Sequence, residues 1–245
     1  MESSVARDTA MAGGNLAIRL DGAVVALGGF PALAGVDLQV RNGELVALRG
    51  ANGTGKSTLL RLCAGLTPLT RGTALVLGHD VVTQRDSVRS LVGLLGHDNG
   101  LYDDLTAREN VRFVADLVGA TNSDVDSVLA RLGVDARVAA TRAGALSAGQ
   151  RRRTALASLL VRRAQLWLLD EPHAGLDSAA RSELDDILRE ATSSGATVLY
   201  TTHESDALDA HPRRTITLAG GVVAHDVSPG THATHMGAER AERPR

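Results

Sequence analysis

The chain contains 245 residues, and 28 acidic side chains against 26 lysines and arginines give it a formal net charge of −2. A chain of this length can bury a sizeable core in one or two domains. The balanced charge removes the simplest argument for a nucleic-acid partner, which is a basic excess, and we expect none. Cys63 is the only cysteine, so an intrachain disulfide is excluded and a reducing compartment is favoured. We expect Cys63 to be a buried thiol with no chemical role.

Both ends of the chain are polar. The first residues, MESSVARDTAMAGGN, lack the apolar core of a signal peptide, and no apolar run approaches the length of a membrane-spanning helix. We predict that residues 1–14 and 230–245 are disordered. The sequence therefore favours a cytoplasmic protein that does not insert directly into lipid.

Alternating and apolar segments predict the elements in chain order. The first part favours three strands, a glycine loop and a helix, in the segments LAIRL, VDLQV, ELVALRG and STLLRLCAGL. A strand at LVGLLG precedes three helical patterns between about 107 and 163, in ARENVRFVADLVG, SDVDSVLARLG and SAGQRRRTALASLLVRR. Further strands follow, with helices expected at about 178–194 and 204–210, in LWLLD, TVLYTT, RTITL and GVVAH.

Strands separated by helical crossovers predict an α/β fold with a mostly parallel sheet that is covered on both faces. We place one folded domain at residues 15–229. The helix-rich residues, about 97–163, are predicted to form a helical subdomain inserted in that domain.

The segment GANGTGKST fits the phosphate-loop pattern G-x-x-x-x-G-K-[ST] between a predicted strand and a predicted helix. Glycines let backbone N–H groups point at phosphate oxygens, and the helix adds its positive N-terminus. Lys56, the only lysine in the chain, would reach the β- and γ-phosphates, and the Ser57 hydroxyl would ligate Mg²⁺. A compact ammonium fits inside such a loop, whereas a planar guanidinium does not. The predicted nucleotide-binding residues of the loop are Gly50, Ala51, Asn52, Gly53, Thr54, Gly55, Lys56, Ser57 and Thr58.

Two other motifs carry candidate chemistry. LWLLDEP ends an apolar strand with Asp170, which can hold Mg²⁺, and Glu171, which can accept a proton from an attacking water. In LSAGQ, Ser147 and Gln150 form the S-x-x-Q pattern of a capping box that opens a helix through Arg163. The same geometry aims a helix N-terminus, a hydroxyl and glycine N–H groups at any nearby anion, so both interpretations can hold together.

Five motifs in this order resemble the nucleotide-binding subunit of ABC transporters over residues 16–226: GANGTGKST, LSAGQ, LLDEP, AGLD and the histidine of TTHE. The resemblance implies a P-loop NTPase core of the RecA type, with an antiparallel β portion on its N-terminal side. It implies ATP and Mg²⁺ as ligands and a head-to-tail homodimer, in which each ATP lies between the phosphate loop of one copy and the LSAGQ segment of the other. Integral membrane permease subunits are the implied partners, which would hold the chain on the inner face of the cell membrane.

Individual roles follow from the same resemblance. Lys56, Glu171 and His203 would be catalytic, with His203 contacting the γ-phosphate and helping to hold the water that Glu171 activates. Asp177 would lie across the dimer interface. The residues that would contact ATP held by the partner copy are Ser147, Ala148, Gly149 and Gln150.

The chain departs from the family pattern at three places. Where the family has a glutamine that contacts Mg²⁺ and relays motion to the membrane subunits, this chain has His97 or Asp98, and Asp98 can still ligate Mg²⁺. The aromatic residue that usually stacks on adenine is replaced by Leu27, so adenine would pack on an aliphatic surface unless Phe30 substitutes. The signature segment has Ala148 where most members have glycine, and its methyl group narrows the approach to the nucleotide.

The long segment that begins at LSAGQRRR, together with GH at 96–97 and LTARENVRF, is similar to the ATPase subunit of the cytochrome c maturation system, often called the haem exporter. That similarity favours haem export, with a drug, lipid or polysaccharide exporter as the main alternative. Two other functions stay open: an ABC-type ATPase of translation or DNA repair, and a regulatory module that closes on ATP without turnover. We interpret Arg151 to Arg153 as a solvated helix face rather than as contacts to nucleic acid.

Overall fold

The computed structural model describes residues 15–202 and 214–228. The elements in these ranges are, in chain order, β1 (Leu16–Leu27), β2 (Phe30–Arg41), β3 (Leu45–Arg49), α1 (Lys56–Cys63), β4 (Arg71–Val76), β5 (His79–Asp80), α2 (Arg85–Leu91), β6 (Val92–Leu95), α3 (Ala107–Val118), α4 (Asn122–Arg131), α5 (Ala136–Ala139), a 3₁₀ turn (Ala143–Ala145), α6 (Ala148–Arg162), β7 (Leu166–Leu169), α7 (Ser178–Ser193), β8 (Thr197–Thr201), β9 (Arg214–Ala219) and β10 (Val222–Val227). The helix expected at about 204–210 and the ends expected to be disordered lie outside these ranges.

The central sheet has six strands in the order β10-β9-β3-β8-β7-β6, and every neighbouring pair is parallel except β9 and β10. Its strands β3, β7 and β8 are buried on both faces. Alternate residues of such a strand enter two different cores. In β3, Ala47 joins the core formed with the helical part, whereas Val46 and Leu48 join the core formed with α1 and the second sheet. The predicted mostly parallel sheet, covered on both faces, is confirmed.

The second sheet is antiparallel and has the order β2-β1-β4-β5. It confirms the antiparallel portion on the N-terminal side, but β1 and β2 are 12 residues each, longer than the two short strands predicted. The register of β1 shifts between Leu20 and Ala23, around Gly22, so the alternating pattern is interrupted while the strand continues. The elements β4, β5 and α2 were not predicted from the sequence, because they are short and show no clear period.

The inserted helices begin where side chains cap them. Thr106 with Glu109 forms a capping box at the start of α3, and Thr121 with Asp124 forms one at the start of α4. The three predicted helices of this block are confirmed as α3, α4 and α6, with α5 and the 3₁₀ turn between the last two. Within the described residues, no helix combines the length and the apolar character that crossing a bilayer would require.

Candidate functional site

The loop between β3 and α1 has a backbone that only glycine allows at two positions. Gly50 has φ +147° and Gly55 has φ +102°. A Cβ added at Gly50 would lie 2.4 Å from the carbonyl oxygen of Leu218, and one at Gly55 would lie 2.4 Å from that of Ala32. The loop is therefore fixed between β9 and β2 by backbone contacts on both sides.

Lys56 anchors the inside of this loop. Its Nζ donates hydrogen bonds to the carbonyl oxygens of Gly50 at 2.7 Å and Ala51 at 3.0 Å, and the residue is only 6% exposed. The loop residues 51–53 and Ser57, by contrast, are exposed. Because the curled backbone, the ammonium and the start of α1 lie together, this segment fits a bound phosphate chain.

The β1–β2 hairpin ends beside the phosphate loop, since Ala32 of β2 is the residue whose carbonyl faces Gly55. Leu27 and Phe30 pair at the tip of that hairpin and are 50% and 79% exposed. Both side chains are therefore accessible to a base at this tip. Which of them would contact adenine stays a prediction.

Asp170 and Glu171 follow β7 and lie at the same edge of the sheet as the phosphate loop, with β8 between them and β3. Thr201, at the end of β8, holds both residues: its Oγ1 donates to Asp170 Oδ1 at 2.8 Å and accepts the Glu171 N–H at 2.8 Å. An Asp170 carboxylate and a Ser57 hydroxyl are oxygen ligands of the kind that Mg²⁺ prefers. Thr201 was not predicted as a site residue from the sequence. The one signal for it was its position at the end of the neighbouring buried strand.

The capping box predicted at LSAGQ is present at the start of α6. Ser147 Oγ accepts the Gln150 N–H at 3.3 Å, and Gln150 Oε1 accepts the Ser147 N–H at 2.9 Å. Ser147 and Ala148 are exposed, so this helix N-terminus is open to a ligand. A Cβ at Gly149 would lie 3.1 Å from the carbonyl oxygen of Gly175, so the start of α6 packs against residues 174–177 of the same chain.

Asp177 caps α7 and is tied to α6. Its Oδ1 accepts the N–H of Ala180 at 2.8 Å, and its Oδ2 accepts a hydrogen bond from Arg153 at 2.8 Å. Its side chain is 63% exposed, which leaves it accessible to another molecule as well. A contact of Asp177 across a dimer interface stays a prediction.

The interpretation of residues 151–153 as a solvated helix face is wrong. Arg152 is buried, with 4% of its surface exposed, and all three arginines bond within the chain. Arg151 binds the carbonyl of Ala143 and the carboxylate of Asp103, while Arg153 binds Asp177. A run of charges is usually solvated, and nothing local in the sequence marks the middle arginine as different.

Three predicted residues remain, namely Asp98, His203 and Cys63. Asp98 is exposed in a turn after β6, where its carbonyl accepts the N–H of Gly100 at 2.6 Å, and its role as a Mg²⁺ ligand stays a prediction. His203 lies outside the described residues. Cys63 is buried, and burial raises the pKa of its thiol to about 12, as expected for a residue without a chemical role.

The fold and the loop together define a phosphate-loop nucleotide hydrolase with an inserted helical subdomain. The family model described as ABC transporter matches residues 33–174, which is more than half of the chain. The chain therefore belongs to the ABC transporter family, and it is an ATP-binding ATPase subunit of that family.

Two relatives illustrate its similarities. The chain is 40% identical over 199 residues to the cytochrome c biogenesis ATP-binding export protein CcmA of Paraburkholderia xenovorans (strain LB400), covering 74% of this chain and 87% of that protein. It is 33% identical over 226 residues to the daunorubicin/doxorubicin resistance ATP-binding protein DrrA of Streptomyces peucetius, covering 90% of this chain and 68% of that protein.

Among solved structures, the chain is similar to the dimeric post-hydrolysis state of the ATP-binding cassette MJ0796 bound to ADP and Pi. The TM-score is 0.79 at 25% identity, and the match covers 86% of this chain and 98% of that one. Almost the whole of that cassette is therefore matched by this chain.

Proposed function

We propose that this ABC ATPase closes as an ATP-sandwiched homodimer that drives a separate membrane permease, and that the system serves haem export in cytochrome c biogenesis. The main support for the dimer is that the start of α6 is open to another molecule, since Ser147 and Ala148 are both exposed. The phosphate loop contacts β2 and β9, whereas the start of α6 packs on residues 174–177. Two separate surfaces of this kind suit one ligand shared between two copies.

Four residues would act on the nucleotide of their own chain. Lys56 would exchange its two carbonyl contacts for phosphate oxygens and hold the β- and γ-phosphates. Ser57 and Asp170 would hold Mg²⁺, with Asp98 as a further candidate ligand; when bound, the ion neutralises charge on the phosphates. Glu171 would accept the proton of the attacking water.

The partner copy would complete the site. Ser147 and Ala148 would approach the γ-phosphate with the positive end of α6, and Gly149 and Gln150 would support that segment. Binding of ATP would then favour the closed dimer, and hydrolysis would release it. Asp177 would lie at the same interface, next to the Arg153 that it already contacts.

An exposed apolar patch on the helical part supports a permease as a partner. Tyr102, Phe113, Leu117 and Val118 are 45–72% exposed, and the rings of Tyr102 and Phe113 meet edge to face at 5.4 Å. Clustered exposed apolar side chains are typical of protein interaction sites. The patch lies next to the turn after β6, and that turn would relay motion between the permease and the nucleotide. Binding to the permease would hold the chain at the inner face of the membrane.

The cargo proposal depends on the relatives. The CcmA protein at 40% identity is described as a cytochrome c biogenesis export protein, which supports haem export. Drug export is the second candidate, because the DrrA protein at 33% identity is described as a daunorubicin/doxorubicin resistance protein.

Replacing Glu171 by Gln tests the proposed chemistry. The amide keeps the shape of the side chain but cannot accept the proton, so we expect hydrolysis to fall by about 10²–10⁴-fold. ATP should still bind, and ATP-dependent dimers should accumulate in size-exclusion chromatography. The control is Glu183→Gln, an exposed glutamate on α7 that pairs with Arg131, and it should hydrolyse ATP normally. Unchanged turnover in Glu171→Gln would remove its role as the base.

Deletion of the coding sequence from its host tests the cargo. Haem export predicts the loss of c-type cytochromes on a haem-stained gel, restored by the wild-type chain and not by Glu171→Gln. Intact cytochromes together with new sensitivity to daunorubicin would replace the first candidate by the second.

A further inference from the structure

Arg152 is a buried cation where three segments meet: α6, the turn after β6 and the backbone that follows β7. All three of its guanidinium nitrogens are bonded: Nε donates to the Pro172 carbonyl at 3.3 Å, Nη1 to the Gly96 carbonyl at 2.9 Å and to Asn99 Oδ1 at 2.8 Å. Nη2 donates to the carbonyls of Asp170 and of Glu171, the latter at 2.7 Å. One side chain of α6 therefore joins the turn after β6 to the backbone that follows β7.

The backbone of Glu171 needs such support. It has φ +48°, a left-handed conformation that is unfavourable for a residue with a Cβ and persists only where its surroundings enforce it. Its N–H is held by Thr201 Oγ1, and its carbonyl accepts from Arg152 and from the N–H of Ala174 at 3.0 Å. Arg152 is the contact in this set that reaches Glu171 from the helical part of the molecule.

The other end of the guanidinium holds a turn rather than a strand. Gly96 and Asn99 lie in the turn where β6 leads towards the helical part, and Asn99 has φ +55°. A displacement of this turn would pull on the guanidinium that also holds the Glu171 carbonyl. Lysine could not substitute fully, because an ammonium offers three donors from one point and not a planar fork.

The charge of Arg152 also suits this place. Burial lowers the pKa of its guanidinium, while the negative charges of Asp170 and Glu171 act in the opposite direction. A buried cation surrounded by carbonyls and two nearby carboxylates is costly to remove, since the carbonyls would lose their donors.

We propose that Arg152 is a positioning residue, which sets the geometry of Glu171 and couples it to the turn at Gly96–Asn99. The inference depends on the proposed role of Glu171 as the base. It assigns Arg152 to turnover and not to nucleotide binding, because the five hydrogen bonds described above go to the strand end and the turn and not to the phosphate loop.

Steady-state hydrolysis by purified Arg152→Lys and Arg152→Gln proteins tests the proposal. We expect kcat to fall about 10-fold for Lys and about 100-fold for Gln, since small misplacements of a reacting group cost about that much. The KM and the ATP affinity, measured with a fluorescent ATP analogue, should stay within about threefold. The control is Arg163→Gln, an exposed arginine at the end of the same helix that pairs with Asp124, and it should behave as wild type.

Two further measurements separate positioning from general loss of structure. Without nucleotide, hydrogen exchange of residues 170–175 should quicken in Arg152→Lys and not in Arg163→Gln. Asn99→Gly removes a single contact of the guanidinium while tolerating φ +55°, and it should lower kcat about three- to tenfold. This variant decides the question if the Arg152 variants do not fold.

The double variant Arg152→Lys/Glu171→Gln distinguishes the two proposals. If Arg152 acts through Glu171, the double variant should hydrolyse no more slowly than Glu171→Gln alone. A further tenfold loss, or wild-type kcat in the folded Arg152 and Asn99 variants, would overturn the positioning role. Retained turnover in Glu171→Gln would instead overturn the proposed base.

Discussion

The phosphate loop and the start of α6 hold their shapes in different ways. The loop is fixed by backbone atoms: glycine dihedrals, strand carbonyls pressed against Gly50 and Gly55, and its own carbonyls around Lys56. The start of α6 is fixed by side chains, namely its capping box and the arginines that reach other segments. A single added methyl group should therefore abolish most of the loop's affinity for ATP. Removal of one side-chain contact at the start of α6 should weaken its function only in part.

Gly50→Ala should break the loop and have the largest effect. The added Cβ would meet the Leu218 carbonyl at 2.4 Å, where no side-chain movement can make room. We expect the ATP affinity to fall at least about 100-fold, or about 2.8 kcal/mol. Gly43→Ala is the control, since Gly43 also has positive φ but open space around its Cβ position. Isothermal titration should show near-normal ATP binding for the control; equal losses in both variants would make conformational strain, and not the contact, the cause.

Lys56→Arg keeps the positive charge inside the loop and changes the shape of the side chain that carries it. The ammonium lies within 3.0 Å of two loop carbonyls, and a planar guanidinium on a longer side chain does not fit the same space. We expect the ATP affinity to fall about 10- to 100-fold while the free energy of unfolding changes by about 1 kcal/mol or less. Arg61→Lys, the reverse exchange on the exposed side of α1, should alter neither quantity. Retained affinity in Lys56→Arg would mean that charge alone is required.

Ser147→Ala should have the smallest effect, because it removes one cap and leaves the arginine contacts of α6 in place. We expect a loss of about 1 kcal/mol in the free energy of unfolding and weaker ATP-dependent dimers. Thr121→Ala removes the equivalent cap of α4 and should cost the same stability without affecting the dimers. Analytical ultracentrifugation with ATP separates the two, and identical dimerisation would restrict Ser147 to capping its helix.

The same contrast explains what could be predicted from the sequence. The phosphate loop, the capping box at Ser147 and the Asp170–Glu171 pair depend on neighbours within a few residues, so their patterns are complete in a short segment. The order of the longer strands and helices could be predicted as well, since hydrophobic periodicity is a local property of the sequence. Residues 71–91 were missed because β4, β5 and α2 are too short to display a period.

The contacts of Arg152 and Thr201 could not be predicted from a short segment of sequence. Arg152 meets Gly96, which is 56 residues away, and Thr201 meets Asp170, which is 31 residues away. Pairings of this kind are decided by which strands become neighbours and by how α6 packs on the sheet. A run of three arginines gives no sign of which one is buried until that packing is known.

The left-handed backbone at Glu171 has a consequence for how this chain can vary. Glycine at this position would relieve a conformational cost of roughly 1–2 kcal/mol. It would also remove the Glu171 carboxylate, which is the proposed base. Selection for heat resistance alone would thus favour a substitution that selection for transport must reject. At residue 171, in the turn after β7, the demands of stability and of catalysis are therefore opposed.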